Sequence, residues 1–175
     1  MAGQQLPNPT RYVTENDEDG KSFFSKTIPE SVPMTIDLGG GTPARLMYTA
    51  EQAPAQLTNN TDIAAYETSL KQSPALIRPG GGPNVWFVDT APEAESPMHR
   101  TLSLDFVIQL VGELELTMSN GEKRSIKPGD VTVQRSTMHK WRNPSKTQWS
   151  RMVAVATESQ PVITKNAGTL EQEFH

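Results

Sequence analysis

The chain contains no cysteine. That absence excludes a disulfide framework, thiolate metal sites and a cysteine nucleophile together. No stretch approaches the ~20 apolar residues that a membrane-spanning helix needs. The start, Met1-Ala2-Gly3-Gln4-Gln5, lacks the basic and apolar regions of a secretory leader. Lys and Arg number 16 against 20 Asp and Glu, and a net charge of −4 speaks against a general affinity for nucleic-acid backbone. Internal repeats and low-complexity tracts are missing too. What survives is a single-domain, soluble, cytoplasmic protein of 175 residues with no nucleic-acid and no membrane partner.

What the chain does have is punctuation. Its 14 Pro and 12 Gly interrupt it too often for a helical bundle. The apolar clusters predict short strands at 32–38, 44–49 and 85–88, then at 102–111, 113–118, 123–126, 131–134, 138–142 and 149–157. Ser119-Asn120-Gly121 between two alternating segments predicts a hairpin, and Pro128-Gly129-Asp130 a second tight turn. One helix is predicted over 62–72, where Ile63, Tyr66 and Leu70 share a face and Asn60 or Thr61 caps the start. Closely spaced short strands indicate an all-β sandwich or small barrel. The division expected is a strand-containing arm over 1–60, a barrel over 61–158 and a polar tail over 159–175. Gly39-Gly40-Gly41 and Gly80-Gly81-Gly82 read as turns, since neither precedes Lys-Ser/Thr or a helix. The acidic run Glu15–Asp19 reads as a solvated loop, because it lacks the spaced ligands of a calcium loop.

Chemistry concentrates in residues 96–110. Alternate residues of a strand share a face, so Leu102, Leu104, Phe106, Ile108 and Leu110 form one apolar stripe. The opposite face carries His99, Thr101, Ser103, Asp105, Val107 and Gln109. A buried surface pays heavily for unpaired polar groups, so this second face is expected to line a cavity. The same alternation places His139, Trp141 and Asn143 together, leaving His175 as the third of three histidines. Two neutral imidazoles and a carboxylate, His99, His139 and Asp105, suit non-haem Fe(II) and also Zn, Mn, Co or Ni. The bland alternative is a metal-free polar pocket, with His99 or His139 as general base and Asp105 orienting it. Thr101 reads as a weak ligand or a hydrogen-bonding neighbour of one. Gln109 and Trp141 read as substrate contacts or as packing, and Asn143 as a turn residue. Arg100, of opposite parity, is expected to be structural or interface-facing, and Arg135 to be solvated in preference to binding an acidic substrate.

These segments resemble the paired motifs of the cupin superfamily. His99, Thr101, Asp105 and Gly112 follow the first motif, and Gly129-Asp130, His139 and Asn143 the second. Thr101 stands where the usual second His would be, Asp105 replaces Glu, and Gln134 and Ser136 stand where Pro and Gly are usual. The strings Met98-His99-Arg100-Thr101 and Met138-His139-Lys140-Trp141-Arg142-Asn143, with Asp19-Gly20-Lys21-Ser22-Phe23, are similar to small single-domain cupins of fungal natural-product gene clusters. The resemblance implies a double-stranded β-helix, or jelly-roll barrel. It also implies a metal-dependent oxidoreductase acting on a small aromatic or polyketide-like substrate. A metal with open positions can activate dioxygen or polarise a carbonyl, so dehydration, decarboxylation and isomerisation are open beside oxidation, as is binding without catalysis.

The apolar stripe carries an expectation about assembly. If His99, Asp105 and Gln109 face inward, five large apolar side chains face away and need cover. The strands near 32–49 or a second copy would supply it, and a homodimer in which the N-terminal strands take part is the reading adopted.

Overall fold

Strands dominate the computed structural model, which describes residues 3–72 and 74–175. In chain order they are β1 (Thr14–Asn16), β2 (Ser22–Phe24), β3 (Ile36–Asp37), β4 (Pro43–Thr49), β5 (Asn84–Thr90), β6 (His99–Arg100), β7 (Ser103–Val111) and β8 (Leu114–Met118). There follow β9 (Lys123–Ile126), β10 (Val131–Arg135), β11 (His139–Arg142), β12 (Ser150–Glu158), β13 (Ile163–Thr164), β14 (Gly168–Thr169) and β15 (Glu173–Phe174). Among the described residues one α-helix, α1 (Thr61–Lys71), lies between β4 and β5, preceded by a 3-10 turn over Thr58–Asn60.

Two antiparallel sheets make the body, ordered β10-β7-β12-β5-β4-β3 and β15-β6-β11-β8-β9. They face each other as the leaves of a jelly roll and do not close into a barrel. Trp86, Val107 and Met152 from the first sheet share one core with Leu114, Leu116 and Trp141 from the second. The alternation of β7 determines which way its sheet faces. Ser103, Asp105, Val107 and Gln109 are buried, while Phe106 and Leu110 lie on the outer surface.

Local chemistry explains the connections. Gly121, at φ 88°, closes the β8–β9 hairpin, with its N–H donating to the Met118 carbonyl. In the turn before β10, the Asp130 carboxylate accepts from the Lys127 N–H at 2.8 Å. Helix α1 buries Ile63 and Tyr66 and packs on β4, where the Tyr66 hydroxyl donates to the Leu46 carbonyl at 2.6 Å. Asn60 is the residue before the helix but does not cap it with its side chain; its amide donates instead to Glu15 Oε2 at 2.6 Å.

The boundaries expected at 60 and 159 cut through both sheets. β3 and β4 extend the six-stranded sheet edge to edge, β4 pairing with β5, so the 32–49 region lengthens the sheet instead of covering its outer stripe. The 159–175 segment supplies β15, the edge strand beside β6. Both additions satisfy ladder groups that would otherwise be unpaired.

Residues of the arm cover part of the outer face through a buried charge cluster. Asp89 accepts from Arg45 Nη1 at 2.8 Å, from Arg151 Nε at 2.6 Å and from Arg151 Nη2 at 2.8 Å. The two guanidiniums then reach the arm, Arg45 at Asn8 Oδ1 and Arg151 at the Pro7 carbonyl. Cover stops there. On β7 and β10, Phe106 is 43% exposed, Val131 59% and Val133 52%. Among the described residues no helix is long and apolar enough to cross a membrane.

Candidate functional site

His99 on β6 and His139 on β11 are direct antiparallel partners. Partners in such a ladder point to the same face, and their ring centroids lie 4.4 Å apart. Each ring is held in the same way. His99 Nδ1 lies 2.8 Å from the Pro97 carbonyl, and His139 Nδ1 lies 2.8 Å from the Thr137 carbonyl. A carbonyl oxygen can only accept, so both imidazoles carry a proton on Nδ1, and in the neutral ring Nε2 is then the acceptor. Burial lowers His139 from 6.5 to about 4, the hydrogen bond to Thr137 opposing and the nearby His99 adding to the fall. His139 is therefore neutral over the ordinary pH range.

A cavity of about 140 Å³ lies between the two sheets, and both histidines line it. Its wall is mostly apolar, with Trp86 and Val88 from β5, Val107 from β7 and Met152 from β12. Asp105 enters from β7 with Gln134 as its ladder partner on β10. Burial raises the Asp105 carboxyl from 3.8 to about 6, and the Ser103 hydroxyl pulls it part of the way back. Asp105 Oδ1 and Gln134 Nε2 are each buried without a hydrogen-bond partner. Of the other expected contacts, Thr101 lines the cavity and hydrogen-bonds Ser103 Oγ at 2.7 Å. Trp141 forms wall, meeting His139 edge-on at 6.2 Å.

Gln109 is a correction. It shares the inward parity of Asp105 but lies two pleats further along β7, outside the cavity wall. Its amide donates to the Val111 and Gly112 carbonyls and to Ser150 Oγ at 2.7–3.0 Å, so it ties the β7–β8 turn to β12. Asn143 holds a turn, as read, donating to the Thr90 and Gln148 carbonyls. Sequence reasoning missed Gln134 as a cavity residue. The signal was available in the parity of β10, where Val131 and Val133 face outward.

No family model matches the chain. Sequence relatives do. Phomopsin biosynthesis cluster protein D of Diaporthe leptostromiformis is 42% identical over 158 residues, spanning 90% of this chain and 82% of its own length. The cupin-domain-containing oxidoreductase srdB of Neurospora crassa is 36% identical over 158 residues, spanning 90% of this chain and 78% of its own length. The chain belongs to the cupin family. Among solved structures, the polyketide cyclase RemF from Streptomyces resistomycificus is similar at a TM-score of 0.49 and 15% identity, over 72% of this chain and 73% of that one.

The metal expected of a cupin is tested by the geometry. Two free Nε2 lone pairs, each ring anchored through Nδ1 to a carbonyl, are what a divalent cation asks of imidazole ligands. The third ligand does not join them. Asp105 stands on the facing sheet, and among the described residues no three His, Cys, Asp or Glu side chains form a metal-holding group. This cupin fits a pair of imidazoles and does not fit the three-ligand centre of His99, Asp105 and His139. Nor does Asp105 orient either histidine; the Pro97 and Thr137 carbonyls do.

Proposed function

We propose that this cupin is an enzyme of fungal secondary metabolism, of the oxidoreductase kind named among its relatives, acting on a small oxygenated aromatic or polyketide-like substrate. One observation carries the proposal: an apolar cavity holds a carboxyl raised to about 6 opposite a neutral His139 and the His99 ring beside it, both anchored through Nδ1. The Nε2 pair accepts from a substrate hydroxyl and fixes its position. Asp105, ionised above about 6 and held in an apolar wall, removes a proton beside a carbonyl. The wall excludes water from the enolate that results. That enolate is common to three outcomes: reaction with dioxygen, loss of a β-leaving group, or reprotonation elsewhere. The lyase and isomerase alternatives therefore use the same step, and no step needs a metal.

The test is proton exchange. A panel of hydroxyaryl ketones incubated with the protein in D₂O should exchange the hydrogen beside the carbonyl, and Asp105→Asn should slow this by roughly 10²–10⁴-fold. Exchange should survive EDTA dialysis, and oxygen uptake then separates oxidation from elimination. Stoichiometric first-row metal in untagged protein, with exchange lost on its removal, would reverse the metal-free reading.

The uncovered outer face supports a second proposal, a homodimer. Phe106, Val131 and Val133 adjoin on β7 and β10 in one apolar surface, and two copies meeting there bury it in a self-complementary contact.

A further inference from the structure

The 159–175 segment reads as polar and aperiodic in sequence, yet its last strand pairs with the strand that carries His99. β15 lies against β6, with Phe174 the ladder partner of His99 and Glu173 that of Arg100. Since β6 lies between β15 and β11, three side chains stand in a row across the sheet: Phe174, His99, His139. The Phe174 ring is stacked on the His99 imidazole, with centroids 5.7 Å apart and planes within 2°. Contacts on both sides of this pair anchor the strand. Arg100 Nη1 meets the Glu173 carboxylate at 3.6 Å and the Glu171 carbonyl at 3.4 Å. The His175 N–H donates to the Met98 carbonyl at 2.9 Å.

β6 needs this support. It is two residues long and shares one residue pair with β11. Without β15 it would be an unprotected edge, and short edge strands with few buried contacts open first. Phe174 is itself half exposed. A core role does not account for its position, whereas contact with His99 does.

We propose that Phe174 is a positioning residue of the site: β15 docks on β6 so that the Phe174 ring holds and shields the His99 imidazole with its Nε2 directed to His139 and the cavity. This rests on the reading of His99 as part of the reacting site. It assigns the tail an active-site task, in which undocking β15 loosens one of the two imidazoles while β11, β8 and β9 and the six-stranded sheet stay paired.

The experiment needs no substrate. With three histidines in the chain, ring-labelled protein gives three imidazole spin systems, and site-resolved diethyl pyrocarbonate modification follows each ring separately. In Phe174→Leu, which keeps bulk but loses the aromatic face, His99 should lose its ring-current shift and its single Nδ1–H tautomer. It should also be modified severalfold faster, with His139 unchanged. Phe174→Tyr should restore the parent behaviour. Circular dichroism and the thermal midpoint should stay at parent values in both variants. Unchanged His99 shifts and reactivity in Phe174→Leu would overturn the proposal, as would equal acceleration at His139, which marks general loosening. Failure of the deuterium-exchange assay with these histidine results intact counts against the proposed reaction and leaves the positioning role standing.

Discussion

Asp105 and His139 line one cavity from facing sheets, and burial moves them in opposite directions, the carboxyl up to about 6 and the imidazole down to about 4. Each is thereby kept neutral over a wider range than in water. For Asp105 the folded form binds its proton more tightly than the unfolded chain. Its contribution to stability therefore declines as pH rises from about 4 to about 6, and the penalty remains above that. For His139 the folded form resists protonation, so stability declines as pH falls from about 6.5 through about 4. Over the shared window the two slopes oppose.

Replacing Asp105 by Asn removes one of them. The variant should be more stable than the parent above pH 6, by about 1–3 kcal/mol on the scale of ~1.4 kcal/mol per pH unit. The advantage should vanish towards pH 4. Urea unfolding at intervals from pH 4 to 8 measures this, and a variant less stable than the parent at pH 7.5 contradicts it. Gain of stability with loss of exchange would mark Asp105 as a group held against its own solvation for the sake of the reaction.

The imidazole pair should matter for binding more than for folding. His99→Phe and His139→Phe each remove one Nε2 acceptor from the cavity. Each should weaken a bound hydroxyaryl ketone by about 5–10-fold, the worth of one hydrogen bond near 1 kcal/mol. Quenching of Trp86 and Trp141, both in the cavity wall, gives the affinity directly. Parent-like affinity in both variants would show that substrate hydroxyls bind elsewhere.

Gln109→Ala should separate structure from site. It leaves the Val111 and Gly112 carbonyls and Ser150 without their donor, and stability should fall by about 1–3 kcal/mol. Ligand affinity, measured by the same fluorescence titration, should not change. An effect on affinity without one on stability would return Gln109 to the cavity.

Asp89→Asn should be the most damaging single change outside the cavity. Asp89 is fully buried between Arg45 and Arg151, and removing its charge leaves two buried cations facing one another. Losses of roughly 3–5 kcal/mol follow from breaking such a cluster on one side. Thermal denaturation should show the loss, and limited proteolysis should show cleavage near residues 7–11 before the sheets open.

Val133→Lys tests the outer face. The side chain is half exposed in one copy, so the fold should tolerate it. Light scattering should report twice the 19.2 kDa chain mass for the parent and a single chain for the variant. A parent of single-chain mass at micromolar concentration removes the dimer.

Local signals were read well from the chain. The period of two over 102–110 gave the correct inward face of β7, Asn120-Gly121 gave the β8–β9 hairpin, and the Ile63–Tyr66 spacing gave α1 within a residue at each end. In the cavity, Asp105 on β7 and His139 with Trp141 on β11 were legible because parity in a strand is a local property; His99 and Thr101 line it too, but the single strand face expected to carry them with Asp105 is broken between β6 and β7, which lie in different sheets. What escaped depends on pairing between distant segments. That β4 joins β5, that Phe174 meets His99 and that Asp105 faces the histidines from another sheet are properties of strand order, which no local pattern encodes. Gln109 was misplaced for a related reason: parity says which face a side chain takes but not how far along that face the cavity extends.

The arm has a consequence for the order of assembly. Its attachments join residues separated by almost the whole chain: Pro7 to Arg151, and Gly3 to Thr147 and Trp149. Contacts of such span carry the largest loop-closure cost and form after the shorter ones. Arg151 is also in place only once β12 has paired with β5, which supplies Asp89. The arm is therefore a late-docking latch: it closes over a sheet already built, and during synthesis residues 3–8 must wait, unprotected, until residue 151 has emerged.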